Sequence, residues 1–412
     1  MEKRRVVITG MGVVAPNGIG VENFWDSLVH GRSGVRRITH FDASSYPSQV
    51  AAEVPDFDPT DYMDPKTAKR LDRFAHFCLA SASMALQDAE IKIPIKDPYR
   101  SGVFVGTAIG GGETSENQHL IFIEKGFRRI APFTVEAIST HSASALISQT
   151  FNIKGPNTTI SSGCNSGLDS CYLAYNTIKM GDADVMIVTG GEAPVTPYIV
   201  SIFSAVGVLS TQNGDPKGTV KPYDVSASGM VLGEGGGAII IEEFSHAINR
   251  GAKIYGEILG YSSLAEAYMF GTKTDKEVMA KAFKEALNKS HLNPKDIDYI
   301  NPHGNGILEY DVGETESIKI AFGESAYKIP ISSIKPVTGQ SLSATGIYQV
   351  ITGLLTMKDG IIPPTINHKN PAPGCDLNYV PHHYFKKNVN VAVMNTHGFG
   401  GRHTVLVVGK LN

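Results

Sequence analysis

The hydrophobic pattern of the first half alternates between short apolar runs and longer segments with helical spacing. Helical spacing predicts helices from Val21 to Gly31 and from Asp64 to Asp88, the second with an inward apolar face. The alternation of strands and helices predicts an α/β domain. The runs typical of short buried strands are Val6 to Thr9, Gly102 to Gly106, Val185 to Gly191 and Gly237 to Glu242.

The second half of the chain repeats this order of elements from about Ile254. It runs strand, capped helix, strand, polar loop, strand, helix and strand, and Thr274 with Glu277 predicts a capping box for a helix through Asn288. The repeat predicts two copies of one unit, with a first half over residues 1–253 and a second over residues 254–412.

A cysteine stands at a predicted strand-to-helix turn in the first half. The strand Asn157 to Ile160 leads into Cys164, and the helix that follows ends at Gly181. The free N–H groups and the positive end of that helix favour a thiolate and offer donors to an oxyanion. The alternative is a buried structural cysteine, but the flanking glycines and small polar residues favour a nucleophile.

In the second half, polar residues with glycine neighbours follow three predicted strands. The loops contain His303, Lys335 with Gln340, and the segment Asn395 to Gly401. Strand ends are where α/β proteins place their chemistry, so we expect these loops and Cys164 to form one site. Each residue alone is more often an ordinary surface residue, but four such loops together favour function.

Composition narrows the function classes. The chain of 412 residues carries 37 basic and 40 acidic residues, which gives no global field for nucleic acid. Its four cysteines lack metal or disulfide spacing, and neither a signal sequence nor a membrane-spanning run is found, so we expect a cytoplasmic protein.

Glycines of a predicted turn at Gly10 and Gly12 lack the spacing of a dinucleotide-binding loop.

These motifs, in this order, resemble the β-ketoacyl-acyl carrier protein synthases of the elongating type I/II branch, which are acyltransferases of the thiolase-like superfamily. The resemblance covers essentially the whole chain and is closest to the ketoacyl synthase II type. It implies a five-layered α-β-α-β-α fold built from two thiolase-like halves and normally assembled as a homodimer. The blocks that carry it are Val6 to Gly12, Ser161 to Gly167, Gly190 to Ala193, Pro222 to Asp224, Gly233 to Gly235, Pro302 to Gly304, Asp311 to Glu314, Ser333 to Lys335 and Gly398 to Gly401.

The resemblance also implies roles for single residues. Cys164 would accept the acyl group, with its own N–H and that of Phe399 as the oxyanion hole, while Phe399 would also gate the acyl pocket. His303 would donate a hydrogen bond to the malonyl thioester carbonyl, supported by an ion pair of Lys335 and Glu314. The expected lining of the acyl pocket, which is equally typical of ordinary core, is Ile109, Phe133 and Phe203.

The chain departs from the family pattern around the same site. Gln340 stands where elongating synthases have a second histidine, which leaves an N–H donor that cannot exchange a proton. Asn305 and Ile307 replace two threonines that contact pantetheine, and His397 replaces a common phenylalanine. One hypothesis is that His397 compensates for the missing histidine; the alternative is simple packing. Further departures are Tyr268 to Phe270, Arg402 and His403.

The resemblance implies acyl carrier protein as the partner, with substrates carried on its phosphopantetheine and no metal or redox cofactor. Carrier protein is acidic, so exposed basic residues are the expected docking site, although a solvated helix face is the alternative. The homodimer has an alternative in a heterodimer with a subunit similar to a chain-length factor. The expected docking residues are Lys66, Lys69, Arg70, Arg73, Arg128 and Arg129.

The leading hypothesis is therefore a 3-oxoacyl-carrier-protein synthase that condenses an acyl group on Cys164 with malonyl carrier protein in fatty acid or polyketide synthesis. A second hypothesis is a transacylase that accepts and passes on the acyl group without elongation, which Gln340 would suit. A third is an inactive partner subunit, against which Cys164 argues. A thiolase would need a second active cysteine in the final glycine loop, and Cys375 lies outside it.

Overall fold

The computed structural model describes residues 4–267 and 274–411. The departure predicted at Tyr268 to Phe270 lies outside these residues. The strands are β1 (Val6–Ala15), β2 (Gly18–Ile19), β3 (Arg36–Arg37), β4 (Val50–Ala51), β5 (Ser101–Gly106), β6 (Asn157–Ile160), β7 (Val185–Glu192), β8 (Gly235–Glu243), β9 (Gly256–Ala265), β10 (Tyr299–Asn301), β11 (Ile361–Ile362), β12 (Phe385–Lys386), β13 (Val391–Gly398) and β14 (Arg402–Gly409). The helices are α1 (Val21–Val29), α2 (Pro65–Ala68), α3 (Arg73–Asp88), α4 (Gly112–Lys125), α5 (Thr134–Ile138), α6 (Ser142–Phe151), α7 (Ser166–Met180), α8 (Pro197–Val206), α9 (Phe244–Asn249), α10 (Lys276–Lys289), α11 (Leu308–Phe322), α12 (Lys335–Thr338) and α13 (Ser343–Asp359).

Strands of both halves join in one mixed sheet. Its order is β10-β13-β14-β9-β1-β8-β7-β5-β6, with β2 paired to β1. The halves meet where β1 and β9 pair antiparallel, with Val7 opposite Glu257 and Ile8 opposite Gly256. Within each half the edge pairs β5–β6 and β10–β13 are parallel, so their carboxyl ends point to the same side.

Two buried helices, α7 and α13, lie between the sheet faces of the two halves. Their apolar residues share one core cluster with inward residues of β1, β7, β8, β13 and β14. On the outer side of the first half, α3 and α6 cover a second cluster, and α10 and α11 cover a third on the second half. This is the predicted α-β-α-β-α order of layers.

Strand β1 is longer than predicted, and the turn expected at Gly10 and Gly12 is wrong. The strand continues to Ala15 because α3 packs directly on its glycines. A Cβ on Gly10 would lie 2.3 Å from the Ala85 carbonyl oxygen, and one on Gly12 would lie 2.0 Å from that of Ser81. These glycines therefore permit close packing of helix on strand and form no nucleotide loop.

Helix α10 begins one residue later than the predicted capping box implies. The side chain of Asp275, and not that of Thr274, accepts the N–H groups of Glu277 and Val278. Asp275 thus satisfies two of the free donors that open the helix.

The single helix predicted from Asp64 to Asp88 is two helices. Asp64 caps α2 by accepting the N–H groups of Lys66 and Thr67, and Asp72 caps α3 by accepting that of Phe74. Two aspartate caps eight residues apart each satisfy the free donors of a new helix start, which explains the break between them. The break leaves α2 as a separate exposed turn near the surface of the first half.

The strand predicted before Lys335 is reduced to an isolated bridge between Ile300 and Ile331, and Lys335 already begins α12. Strand β13 conversely extends through Asn395 to Gly398, so part of the expected loop is strand. The half boundary at residues 253 and 254 stays a prediction, and it falls in the connection from α9 to β9. Among the described helices none is long and apolar enough to cross a membrane.

Candidate active site

Cys164 lies in the turn between β6 and α7, as predicted. Gly163 has φ of +67°, a conformation that favours glycine, and Cys164 is only 7% exposed. The Ser166 hydroxyl accepts the N–H of Ser162 at 2.8 Å and donates to the carbonyl of Gly163 at 2.7 Å. The cysteine is therefore held by the turn itself at the N-terminus of α7.

The end of β13 passes directly beside this turn. A Cβ on Gly398 would lie 3.4 Å from both the Cβ and the backbone nitrogen of Cys164. The Asn165 amide ties the two segments by donating to the Thr396 carbonyl at 3.2 Å and to the Thr404 hydroxyl at 2.8 Å. Gly398 therefore packs against Cys164, and Phe399 is the next residue along the chain.

Burial raises the pKa of the Cys164 thiol to about 11, opposed by the Gln340 amide and the positive charge of Lys335. The thiol is therefore protonated near neutral pH. This corrects the expectation that the turn favours a thiolate, since removal from water outweighs these opposing groups.

Gln340 is 1% exposed, and its backbone pairs with the segment that leads into β8 through an isolated bridge to Leu232. Its N–H donates to the Val231 carbonyl at 2.8 Å, and its carbonyl accepts the N–H of Gly233 at 3.0 Å. Although the amide is close enough to Cys164 to lower the pKa of the thiol, neither amide atom makes a hydrogen bond of normal geometry within the described chain. A buried side-chain amide without hydrogen-bond partners is costly, and a bound molecule that supplied those partners would account for it.

The loop after β10 presents His303, and Glu314 holds its backbone. One carboxylate oxygen accepts the N–H of His303 at 2.7 Å, and the other accepts that of Gly304 at 2.9 Å. The Tyr223 hydroxyl and the Asn395 amide also donate to this carboxylate, each at 2.6 Å. Four donors on one buried carboxylate fix the loop in position.

Lys335 supports the same loop from another side. Its ammonium group donates to the carbonyl oxygen of His303. The expected ion pair with Glu314 is absent within 4 Å among residues 4–267 and 274–411, because each group is occupied by a different backbone atom of the loop. Burial lowers the pKa of Lys335 to about 8, opposed by Glu314 and Cys164.

The imidazole of His303 contacts a second imidazole. The ring centroids of His303 and His397 lie 4.0 Å apart, and Tyr310 meets His397 edge-on at 4.5 Å. Burial holds the pKa of both histidines well below the usual value, so both rings are neutral near neutral pH. Behind them the His403 imidazole lies 2.6 Å from a carboxylate oxygen of Glu266.

Two family models match almost the whole chain. A beta-ketoacyl synthase N-terminal domain matches residues 3–247, and a beta-ketoacyl synthase C-terminal domain matches residues 255–369. The chain belongs to the beta-ketoacyl synthase family.

Relatives within this ketoacyl synthase family match end to end. The 3-oxoacyl-[acyl-carrier-protein] synthase 2 of Coxiella burnetii is 40% identical, with 100% of both chains covered. A putative polyketide beta-ketoacyl synthase 1 of Streptomyces halstedii is 39% identical over 98% of each. A solved type II polyketide synthase acyl-carrier protein in complex with its ketosynthase has a chain that superimposes with a TM-score of 0.92 at 32% identity, covering 100% of both.

A second solved relative is the ishigamide ketosynthase/chain length factor. Its matched chain superimposes with a TM-score of 0.93 at 29% identity and covers 100% of both chains. The thiolase-like ketosynthase fold is thus established over the full length of the chain.

A cavity of about 1190 Å³ reaches Cys164. Cys164, Ile109, Phe203 and Phe399 are among its lining residues, and the rings of Phe203 and Phe399 lie 6.1 Å apart. Phe399 and Phe203 therefore both border the cavity that Cys164 lines, and the gate role of Phe399 stays a prediction.

Phe133, expected in the same pocket, lies elsewhere. It borders a separate surface pocket with Pro65, Lys66, Lys69 and Arg70. Phe133 directly precedes the short helix α5, which follows an exposed segment, and this position puts its ring beside α2. The sequence pattern shows an aromatic residue at this position, but it does not show in which direction the side chain points.

The predicted docking residues differ in their surroundings. Lys66, Lys69, Arg70, Arg128 and Arg129 are exposed. Arg73 instead forms an ion pair with Glu234 at 2.8 Å, and its guanidinium lies 4.6 Å from the centroid of the Phe77 ring. Arg73 therefore supports the fold, and its expected place in a docking surface is corrected.

Sequence reasoning missed several residues that build the ketosynthase site. The sequence shows Tyr223 and Asn395 only as parts of motifs, yet both donate to Glu314. It gives no signal for Tyr310, because an apolar-polar pattern does not show which helical residue turns toward a histidine. Cys375 is buried in the outer core of the second half, away from Cys164.

Proposed function

We propose that the chain is a 3-oxoacyl-[acyl-carrier-protein] synthase that performs a decarboxylative condensation. The observation that carries the proposal is the meeting of Cys164, His303 with its braced loop, and the unpartnered Gln340 amide at one buried site. The adjoining apolar cavity has a volume suited to an acyl chain. The names of the full-length relatives support the same reaction.

Acyl transfer comes first. The Cys164 sulfur attacks the thioester carbonyl of an acyl carrier protein, a carbon–sulfur bond forms, and the bond to the carrier sulfur breaks. The backbone N–H groups of Cys164 and Phe399 stabilise the oxyanion, and the thiol proton leaves with the carrier thiol. The cavity beyond Phe399 holds the acyl chain.

Condensation follows when malonyl carrier protein enters. The bond to its free carboxylate breaks, carbon dioxide leaves, and the electron pair forms an enolate. The side chains of His303 and Gln340 donate hydrogen bonds to the enolate oxygen, with Lys335 and Glu314 holding the histidine loop. The enolate carbon then attacks the Cys164 thioester carbonyl, a carbon–carbon bond forms, and the bond to the Cys164 sulfur breaks. The released thiolate takes a proton from water.

The partner in this proposal is acyl carrier protein, and its docking surface is the basic group formed by Lys66, Lys69 and Arg70 with Arg128 and Arg129. One solved relative is described as a ketosynthase in complex with its acyl-carrier protein, and another as a ketosynthase/chain length factor. The quaternary arrangement we propose is a homodimer, supported by exposed apolar residues of α4 beside the cavity, namely Leu120, Phe122 and Ile123. A heterodimer is the alternative. The place of action we propose is the cytoplasm.

The second candidate is a non-elongating transacylase, which Gln340 favours because the amide cannot exchange a proton. Intact-mass analysis separates the candidates: the protein is loaded from acyl carrier protein and then given malonyl carrier protein, beside Cys164→Ala. Loading on Cys164 followed by a carrier-bound product longer by two carbons supports condensation. Loading without elongation across several chain lengths supports the transacylase, and no loading overturns both.

A further inference from the structure

One buried carboxylate holds the segment that carries Cys164 from below. Asp169 lies on α7, the helix that follows the cysteine, and is 4% exposed. One of its oxygens accepts the hydroxyl hydrogen of Ser162 and pairs with the Arg402 guanidinium at 3.4 Å. The other oxygen accepts the hydroxyl hydrogen of Thr404, on β14, at 3.0 Å. Asp169 therefore joins the nucleophile turn of the first half to a strand of the second half.

The bond to Asp169 decides what the Thr404 hydroxyl does on its other side. A hydroxyl group has one hydrogen, and here that hydrogen points at a carboxylate oxygen, which can only accept. The Thr404 oxygen is therefore left to accept from the Asn165 amide, whose nitrogen lies 2.8 Å away. The Ser263 hydroxyl is a longer contact at 3.3 Å and can donate to the same oxygen. Asp169 thus makes Thr404 an acceptor for the residue directly after Cys164.

The Asn165 amide in turn holds the turn that contains Phe399. Its nitrogen lies 3.2 Å from the Thr396 carbonyl oxygen in β13 and 3.3 Å from the Arg402 carbonyl oxygen in β14. Phe399 lies between these two carbonyls along the chain. An amide nitrogen has two hydrogens, so the shorter bond to Thr404 uses one and the two carbonyls share the other. The orientation of this amide therefore determines how the ends of β13 and β14 are held against the nucleophile turn.

We propose that Asp169 and Thr404 are positioning residues that orient the Asn165 amide. Through that amide they set the distance between the backbone N–H groups of Cys164 and Phe399. The inference rests on the proposed function, in which these two N–H groups bind the thioester oxyanion. One donor belongs to the turn before α7 and the other to the turn between β13 and β14. Because both donors must reach the same oxygen, a shift between the two turns slows acyl transfer.

Intact-mass measurement of the rate at which Cys164 is loaded tests this proposal, with the acyl carrier protein whose chain length loads best. Thr404→Val keeps the shape of the side chain and removes the acceptor for Asn165, so loading should fall by about tenfold or more. Thr404→Ser keeps the hydroxyl and should load within about threefold of the wild type. Thr356→Val is the control, because this buried hydroxyl makes no hydrogen bond within the described chain, and it should leave loading unchanged.

Alkylation by iodoacetamide at one fixed pH separates positioning of the oxyanion donors from damage to the nucleophile. Alkylation of a thiol forms no oxyanion, so its rate at Cys164 should stay within about twofold of the wild type in Thr404→Val and Thr404→Ser. A fall in alkylation as large as the fall in loading contradicts the proposal. Equal loading of Thr404→Val and the wild type contradicts it as well.

Asp169→Leu tests the first step of the same connection. It removes both carboxylate oxygens, so loading should fall as it does in Thr404→Val, while alkylation should not fall. Combining the two changes should slow loading by less than the product of the single effects, because both act on one amide. Fully multiplied effects contradict the proposal, and the Thr404 variants decide it alone if Asp169→Leu does not fold. A wild type that is never loaded overturns the proposed function, whereas a wild type that loads no faster than Thr404→Val overturns only this inference.

Discussion

Cys164 is a neutral thiol near neutral pH, and its protonation has a kinetic consequence. Because burial raises its pKa to about 11, the thiolate fraction is far below one at neutral pH and rises with pH until that value is passed. Substrate binding, and not the turn alone, must therefore assist loss of the thiol proton.

Alkylation of the free protein by iodoacetamide measures this thiolate directly. The rate at Cys164 should increase roughly tenfold per pH unit between about pH 7 and 9, with no plateau in that range. Quantifying the modified peptide by mass spectrometry, with Cys164→Ser as control, checks the expectation. A plateau below about pH 8 would show that the pKa is lowered in the folded protein.

Gln340→Ala removes the only side-chain donor of that residue, so condensation should fall by about a hundredfold while loading of Cys164 continues. Gln340→His restores a donor and should keep condensation within about tenfold of the wild type. Carbon dioxide release from malonyl carrier protein gives the rate. Equal rates for Gln340→Ala and wild type would remove Gln340 from the mechanism.

The sequence predicts those parts of the site that depend on local patterns, and it does not predict those that depend on contacts between distant residues. Cys164 and His303 follow from residue type beside glycine at strand ends. The structure buries both, and it connects them through Tyr310, which shares an apolar cluster with Cys164 and contacts His397 beside His303. The direction of the Phe133 ring and the ion pair of Arg73 with Glu234 depend on partners far away in the chain, which local patterns do not contain. The hypothesis that His397 compensates for Gln340 is not tested, although its ring contacts His303.

At the scale of elements, helix α11 is connected to the catalytic loop through one carboxylate. Glu314 accepts four hydrogen bonds from the loop after β10, from β13 and from the segment around Tyr223, so it joins elements that are distant in sequence. Sequence patterns predict helices and strands well when their apolar residues are regularly spaced. They missed the break between α2 and α3 because a short polar stretch between aspartate caps still has helical spacing.

Glu314→Gln tests this connection. The amide offers one accepting oxygen and places an NH₂ group against N–H donors, so unfolding free energy should fall by about 3 kcal/mol. Condensation should fall further than loading, since the His303 loop loses its support while the Cys164 turn keeps its own contacts. Urea denaturation and the two half-reactions check both parts. Unchanged stability would mean that the four hydrogen bonds are replaced by water.

For the whole molecule, the exposed basic residues near α2 give an electrostatic prediction. Replacing Lys66, Lys69 and Arg70 together with glutamate should lower the rate of association with acidic carrier protein by about tenfold or more, and the difference should shrink at high salt. Stopped-flow measurements at low and high salt give the rate. Lys281→Glu, on the opposite outer layer, is the control, and an equal effect there would indicate only net charge.

The sheet shared by the two halves has a consequence for how the protein unfolds. The nucleophile belongs to the first half and the imidazole to the second, yet β1 and β9 are hydrogen-bonded and α7 packs with α13 in one core. Heating should therefore produce one calorimetric transition, in which loading ability, condensation and helix content disappear together. We therefore expect no intermediate temperature at which the first half survives as a simpler acyl carrier.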